Sequence, residues 1–276
     1  MKDKQLVTHY LSHGASVWKP TAVFTSPLTF AVMLPAVDFL PQLLKHAKND
    51  LGSTNEVKPA RILYGAIYLA TTSEDWETAI TLIDWWYQHY RKPQPYQVAA
   101  WVGKAVGAHA TKFLHRVLDQ DLTAATKKQL VQRLFGLDYL RRADSLDFFA
   151  EAMIDRKFLD VSRFYTDRST FFSGSLLTLA VRNSDIRLAK LCLKMGMSAD
   201  GLRDTDGKSE NPIVTAVFER DEAMVKLLLY DGADPTPAQS LVFRVSHYPR
   251  KKIMNRIKTL ILKAVKSRNS EAITDV

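Results

Sequence analysis

From residue 211 onward, apolar and polar residues alternate with a helical period that is broken twice. Ile213, Ala216 and Val217 make one short apolar stripe, and Met224, Val225, Leu227, Leu228 and Leu229 make a second. This spacing predicts two short amphipathic helices. Asn211 is an N-cap candidate, and Pro212 fills the first helical position, where a missing N–H leaves nothing unpaired. Arg220-Asp221 breaks the pattern between the stripes. Gly232 closes the second helix, because the left-handed C′ conformation strains any residue with a Cβ. A hairpin this short cannot bury its apolar face alone and needs neighbours on both sides.

The same pattern recurs toward both ends. Leu6 to Val17 repeats the second half of the unit with Gly14 as terminator, and Ser26-Pro27-Leu28-Thr29-Phe30-Ala31-Val32 repeats its start. Pro41 would cost about 3 kcal/mol inside a helix, so the next helix is expected to begin near Leu40 and run to Lys48. Ser175 to Val181, Leu188 to Leu193 and Gly196 form a further copy, with Ser175 as the cap. The spacing from Gly196 to Gly232 is 36 residues, and the surplus falls in a charged loop from Asp200 to Asn211.

These segments resemble the ankyrin repeat. Asn211-Pro212-Ile213-Val214-Thr215-Ala216 stands where that family has T-P-L-H-x-A. Met224 to Leu229 stands where it has I-V-x-x-L-L, and Gly232-Ala233-Asp234 where it has G-A-D. The resemblance implies an all-α, ankyrin-like solenoid of stacked helix–turn–helix repeats acting as a non-catalytic protein-binding scaffold. Its contact surface would be made of finger loops and the adjoining helices. Matched position by position, the contacts are Trp18 and Lys19 in the first finger and Arg203, Asp204, Asp206 and Lys208 in the later one. Val214, Phe218 and Glu219 lie on the helix beside it. Diverged arrays of this kind are also similar to bacterial effectors that work in a host cytosol.

Between Lys58 and Thr170 the helical period continues without the signature. Helices are expected over Ala60–Ala70, Asp75–Tyr90, Tyr96–Ala110 and Thr111–Gln120, with Ser73 to Asp75 opening the second. Two or three more fall between Thr123 and Thr166. Four of five tryptophans lie here. Trp85-Trp86-Tyr87 spans about 300° of helical arc at 100° per residue, so one core cannot take all three. Either they fill gaps between diverged repeats, or Trp85 and Trp86 contribute to a partner-binding patch.

Charge changes the picture at one place. Nine of the 38 Lys and Arg residues fall in 241–269 with no Asp or Glu, so the rest of the chain is neutral and this segment holds the formal +9. Ile253, Ile257, Leu260, Ile261, Ala264 and Val265 form the apolar stripe of a long helix there. Arg250, Lys251, Lys252, Arg256, Lys258 and Lys263 lie on its other faces. This is the pattern of a terminal cap. It also fits an acidic protein, an anionic membrane or nucleic acid. The ending Thr274-Asp275-Val276 resembles a PDZ-domain ligand.

Candidate chemistry is sparse. The single cysteine, Cys192, sits at a core position, which leaves no intramolecular disulfide and no cysteine-based zinc site. His109 and His115 fall on different helix faces and do not share a metal. No cofactor, small-molecule substrate or metal is expected, and an enzyme site would have to hide in the middle helices. The N-terminus lacks a signal core, and no apolar run reaches the roughly 18 residues of a membrane span. The expectation is a cytoplasmic monomer. The expected partition is 1–57 and 171–237 as ankyrin-like repeats, 58–170 as degenerate repeats or an insert, 238–268 as the cap and 269–276 as a flexible tail.

Overall fold

Five helices begin where Asp75, Ser175, Asp185, Asn211 or Asp221 supplies a side-chain acceptor for the unpaired N–H groups, and several turns between helices hold a left-handed residue. The structure, a computed structural model, describes residues 8–19, 26–33, 39–50, 59–135, 146–163, 165–167, 172–202, 210–244 and 251–274. Two compact units divide the chain, Met1–Leu130 and Val131–Val276. The division falls inside the expected middle segment.

The first unit holds α1 (residues 8–12), α2 (Pro27–Met33), α3 (Leu40–Asp50), α4 (Pro59–Thr72), α5 (Trp76–His89), α6 (Pro95–Gly107) and α7 (Thr111–Leu118). Helix α8 (Ala124–Phe135) crosses residue 130. Consecutive helices pair as α2 with α3, α4 with α5 and α6 with α7. First helices of the pairs pack in a row, α2 on α4 and α4 on α6, and α5 packs on α7. Leu28, Leu63, Ile67, Leu82, Ile83 and Phe113 fill the space between the rows and are fully buried. Each such side chain contributes about 1.5–3 kcal/mol through removal from water.

In the second unit come α9 (Leu146–Asp155), α10 (Leu176–Arg182), α11 (Ile186–Lys194), α12 (Pro212–Glu219), α13 (Glu222–Tyr230), α14 (Thr236–Arg244) and α15 (Lys251–Thr274). Here α10 packs on α12 and α12 on α14, while α9, α11, α13 and α15 form the other row. The described residues are helical apart from one antiparallel ladder, β1 (Tyr165–Asp167) with β2 (Phe172–Gly174), in which Tyr165 pairs with Gly174. The expected run of helices to Thr166 therefore ends earlier. Lys157, left-handed at φ 56°, closes α9, and the chain then turns into the ladder. No described helix is long and apolar enough to cross a membrane.

One turn recurs in both units. After α4, α6, α10 and α12 comes a left-handed residue: Glu74, His109, Ser184 and Arg220, with φ from 54° to 61°. The next residue donates its N–H back to a buried alanine: Asp75 to Ala70, Ala110 to Ala105, Asp185 to Ala180 and Asp221 to Ala216, at 2.8–3.0 Å. In three of the four, that residue is an aspartate whose carboxylate caps the following helix, at Thr78, Leu188 and Met224. Ser73, expected to help open α5, instead turns its hydroxyl back to Leu69, and Asp75 is the cap.

In the second unit, α11 and α13 close on glycine. At Gly232 (φ 88°) the Ala233 N–H bonds the Leu228 carbonyl and the Gly232 N–H bonds Leu229. This is the double bond of a Schellman ending. Gly196 does the same with Cys192 and Leu193, at φ 86°. Asn211 caps α12 at the Val214 N–H with Pro212 inside the first turn, and Ser175 caps α10 at Thr178.

Candidate functional site

The three tryptophans expected at a contact surface are core residues. Trp18 is 0% exposed and lies 5.9 Å from the Trp85 ring. Trp85 is held by a 3.0 Å bond from its indole N–H to the Leu44 carbonyl of α3. Trp86 turns the other way, donates to the Arg91 carbonyl at 2.7 Å and packs edge-on against Trp101 of α6. The wide aromatic arc is thus absorbed because α5 is covered on two sides, which leaves Trp18 and Trp86 buried and Trp85 only 7% exposed. The Trp18 and Trp101 indole N–H groups are buried without an acceptor among the described residues, each at a cost of about 1–3 kcal/mol.

Lys19 and Glu219 are exposed and Val214 is half-buried. Phe218 is 68% exposed. Arg203, Asp204, Asp206 and Lys208 lie outside the described residues, as do Arg250 and the Asp275-Val276 end of the proposed tail ligand. The base of the later loop is described, and a carboxylate organises it. Glu210, nearly buried, accepts from the Ser175 N–H and, at 3.0 Å, from the Leu202 N–H. Its own N–H returns to the Leu202 carbonyl at 2.9 Å. Gly201 passes so close that a Cβ there would stand 2.8 Å from the Glu210 Cβ.

The basic helix α15 uses several of its cations on its own unit. Arg256 reaches Glu222 and Lys258 sits 4.3 Å over the Phe243 ring. Arg268 bonds Asp234 at 2.8 Å and the Gly232 carbonyl at 3.2 Å. Lys252 and Lys263 are exposed, and Lys251 opens the helix. The buried stripe is Met254, Ile257 and Ile261, with Ile253, Leu260, Ala264 and Val265 only half-buried. The helix runs on to Thr274, past the expected start of a tail at 269.

Five exposed aromatic side chains lie on the first helices of the pairs, while Tyr230 of α13 and Tyr10 of α1 are exposed elsewhere. On α4 the buried stripe is Leu63, Ala66, Ile67 and Ala70. At 100° per residue Arg61, Tyr64, Gly65 and Tyr68 then fall on the opposite side. Tyr68 is 41% exposed and Tyr96, at the start of α6, 57%. Tyr64 joins them, its ring 6.3 Å from Tyr68 and 6.5 Å from Tyr96, and Lys104 of α6 stands 5.7 Å over Tyr68. On α2, Phe30 and Met33 are also exposed. In the second unit Phe218 of α12 and Phe243 of α14 have the same character. The signal for Tyr64 and Tyr68 was present in the sequence as an i,i+4 aromatic pair out of phase with the apolar stripe.

Titratable groups with displaced pKa values do not converge on one place. Burial pushes the Cys192 thiol up to about 12, helped by the charge of Asp185. Asp185 is itself raised, by burial first and by Asp147, against the opposing bond from Leu188. Burial also raises the Tyr87 phenol, with Asp121 adding to it. No three His, Cys, Asp or Glu side chains among the described residues are placed to hold a metal. A shallow groove of about 520 Å³ runs between α3 and α5, lined by Pro41, Leu44, Lys45, Lys48, Asn49, Trp85 and His89.

No family model and no curated protein matches the chain.

Proposed function

We propose that this chain is a protein-binding scaffold of ankyrin-like helix pairs, stacked as an α-solenoid, that carries no catalytic site of its own. The observation that carries this reading is the set of exposed rings on the first helices, Tyr68 and Tyr96 in one unit and Phe218 and Phe243 in the other. Aromatic side chains supply a large share of interface energy, and rigid ones are ordered at little entropic cost. The repeated left-handed turn with its alanine acceptor gives the α4, α6, α10 and α12 pairs the same local geometry, as a stack of like helix pairs requires. A photo-crosslinking residue in place of Tyr96 or Phe218 in the full chain is expected to capture a protein in cells. The same residue in place of Glu74, on the turn at the far end of α4, serves as the control. Equal capture from all three positions would overturn the reading.

A further inference from the structure

Helices α2, α4 and α6 contain Arg61 and Lys104 and no Asp or Glu. Among the described residues of this unit, three acids on other elements are paired. On α5, Asp84 takes two bonds from Arg116 of α7, at 2.7 and 2.8 Å, and Glu77 pairs with Lys112. Asp121 pairs with Lys92. Lys104 thus stands over the Tyr68 ring, Arg61 shares the α4 stripe with Tyr64 and Tyr68, and neither has a carboxylate within the first helices.

We propose that this face of α4 and α6 receives an acidic segment of a partner protein, with carboxylates meeting Arg61 and Lys104 and apolar or aromatic side chains lying on the three tyrosine rings. The inference rests on the scaffold reading and supplies the partner's chemistry. Arg61 offers a planar fork for a carboxylate, and Lys104 is already held over a ring, so little freedom is lost when it is engaged. A nucleic acid fits the same face less well. Its affinity comes mainly from many phosphates neutralised at once, and two cations release few counterions. Two cations suffice for one or two side-chain carboxylates.

Gly65 provides the test. It lies in the Arg61–Tyr68 stripe, and a Cβ built there meets nothing within 4 Å. Replacing a helix-interior glycine improves helix propensity by about 1 kcal/mol at most. Gly65→Glu should therefore keep the fold while placing a carboxylate where the partner's would go. Random short peptides displayed on phage are selected on the full-length protein, and the winners are measured as labelled peptides by fluorescence polarisation. The expected winners are rich in Asp and Glu beside Tyr, Trp or Pro. They should lose about tenfold or more in affinity on Gly65→Glu, and several-fold on Arg61→Ala and Lys104→Ala. Neutral or basic winners that Gly65→Glu still blocks would overturn the acidic chemistry and leave the scaffold reading standing. Winners indifferent to Gly65→Glu would remove the face itself. A labelled oligouridylate that binds more tightly than the peptides and is displaced by Gly65→Glu would overturn the proposal in favour of single-stranded nucleic acid.

Discussion

Cys192 shows how a residue's surroundings decide its chemistry. It is fully buried in α11, and its thiol is pushed up to about 12. The folded thiol stays protonated across the physiological range, so stability falls as pH rises from the unfolded thiol's pKa up through about 12. Iodoacetamide at pH 8 is expected to leave it unmodified in the native protein and to label it fully in urea, read by intact mass. Labelling at equal rates in both conditions would contradict the burial. This placement was legible in the sequence, because Cys192 sits in phase with Leu188 and Ala189. The role of Glu210 was not. A carboxylate that accepts from Ser175 and from Leu202 joins residues 35 and 8 positions away, and no local pattern announces such a partner.

Helices were easier to read than the turns between them. Ile213, Ala216 and Val217 on α12, and Met224, Val225 and Leu228 on α13, are all buried as their period requires. In the middle helices the closing glycine is gone, yet Pro59 and Pro95 still open α4 and α6, and the alanine at position one and the aspartate five later persist as Ala70 and Asp75. That pair makes the same turn as Ala216 and Asp221. Of the two alternatives for the tryptophans, the burial of Trp85 and Trp86 agrees with gap filling, for a physical reason. A helix packed on one side must expose part of a three-residue aromatic arc, whereas α5 is covered on two. Asp221→Ala removes the cap on α13 and is expected to cost about 1 kcal/mol, with Asp221→Asn and Asp221→Ser close to wild type. Urea unfolding of the four proteins tests this. Equal loss in all three variants would point to the turn rather than the cap.

At the scale of the whole chain, the formal charge is concentrated in one helix that is tied back to its own unit. The Asp234 carboxyl lies below the usual aspartate range, held there by the Thr236 N–H at 3.0 Å and by Arg268. A depressed carboxylate stabilises above its unfolded pKa, near pH 4, and that contribution fades as pH falls through the depressed value. Arg268→Ala is therefore expected to lower stability at pH 7 and to lose its effect in strong acid, seen as melting curves that converge with wild type. A constant difference at every pH would assign Arg268 a packing role alone. The Glu210 bonds have a consequence of a different sort. Leu202 and Glu210 are fastened to each other and to Ser175, so whatever chain runs between them begins and ends at fixed points. Extra length there raises the closure cost by only about 0.6 kcal/mol per doubling. Foreign sequence spliced between those two anchors would hang from a frame that does not depend on what it carries.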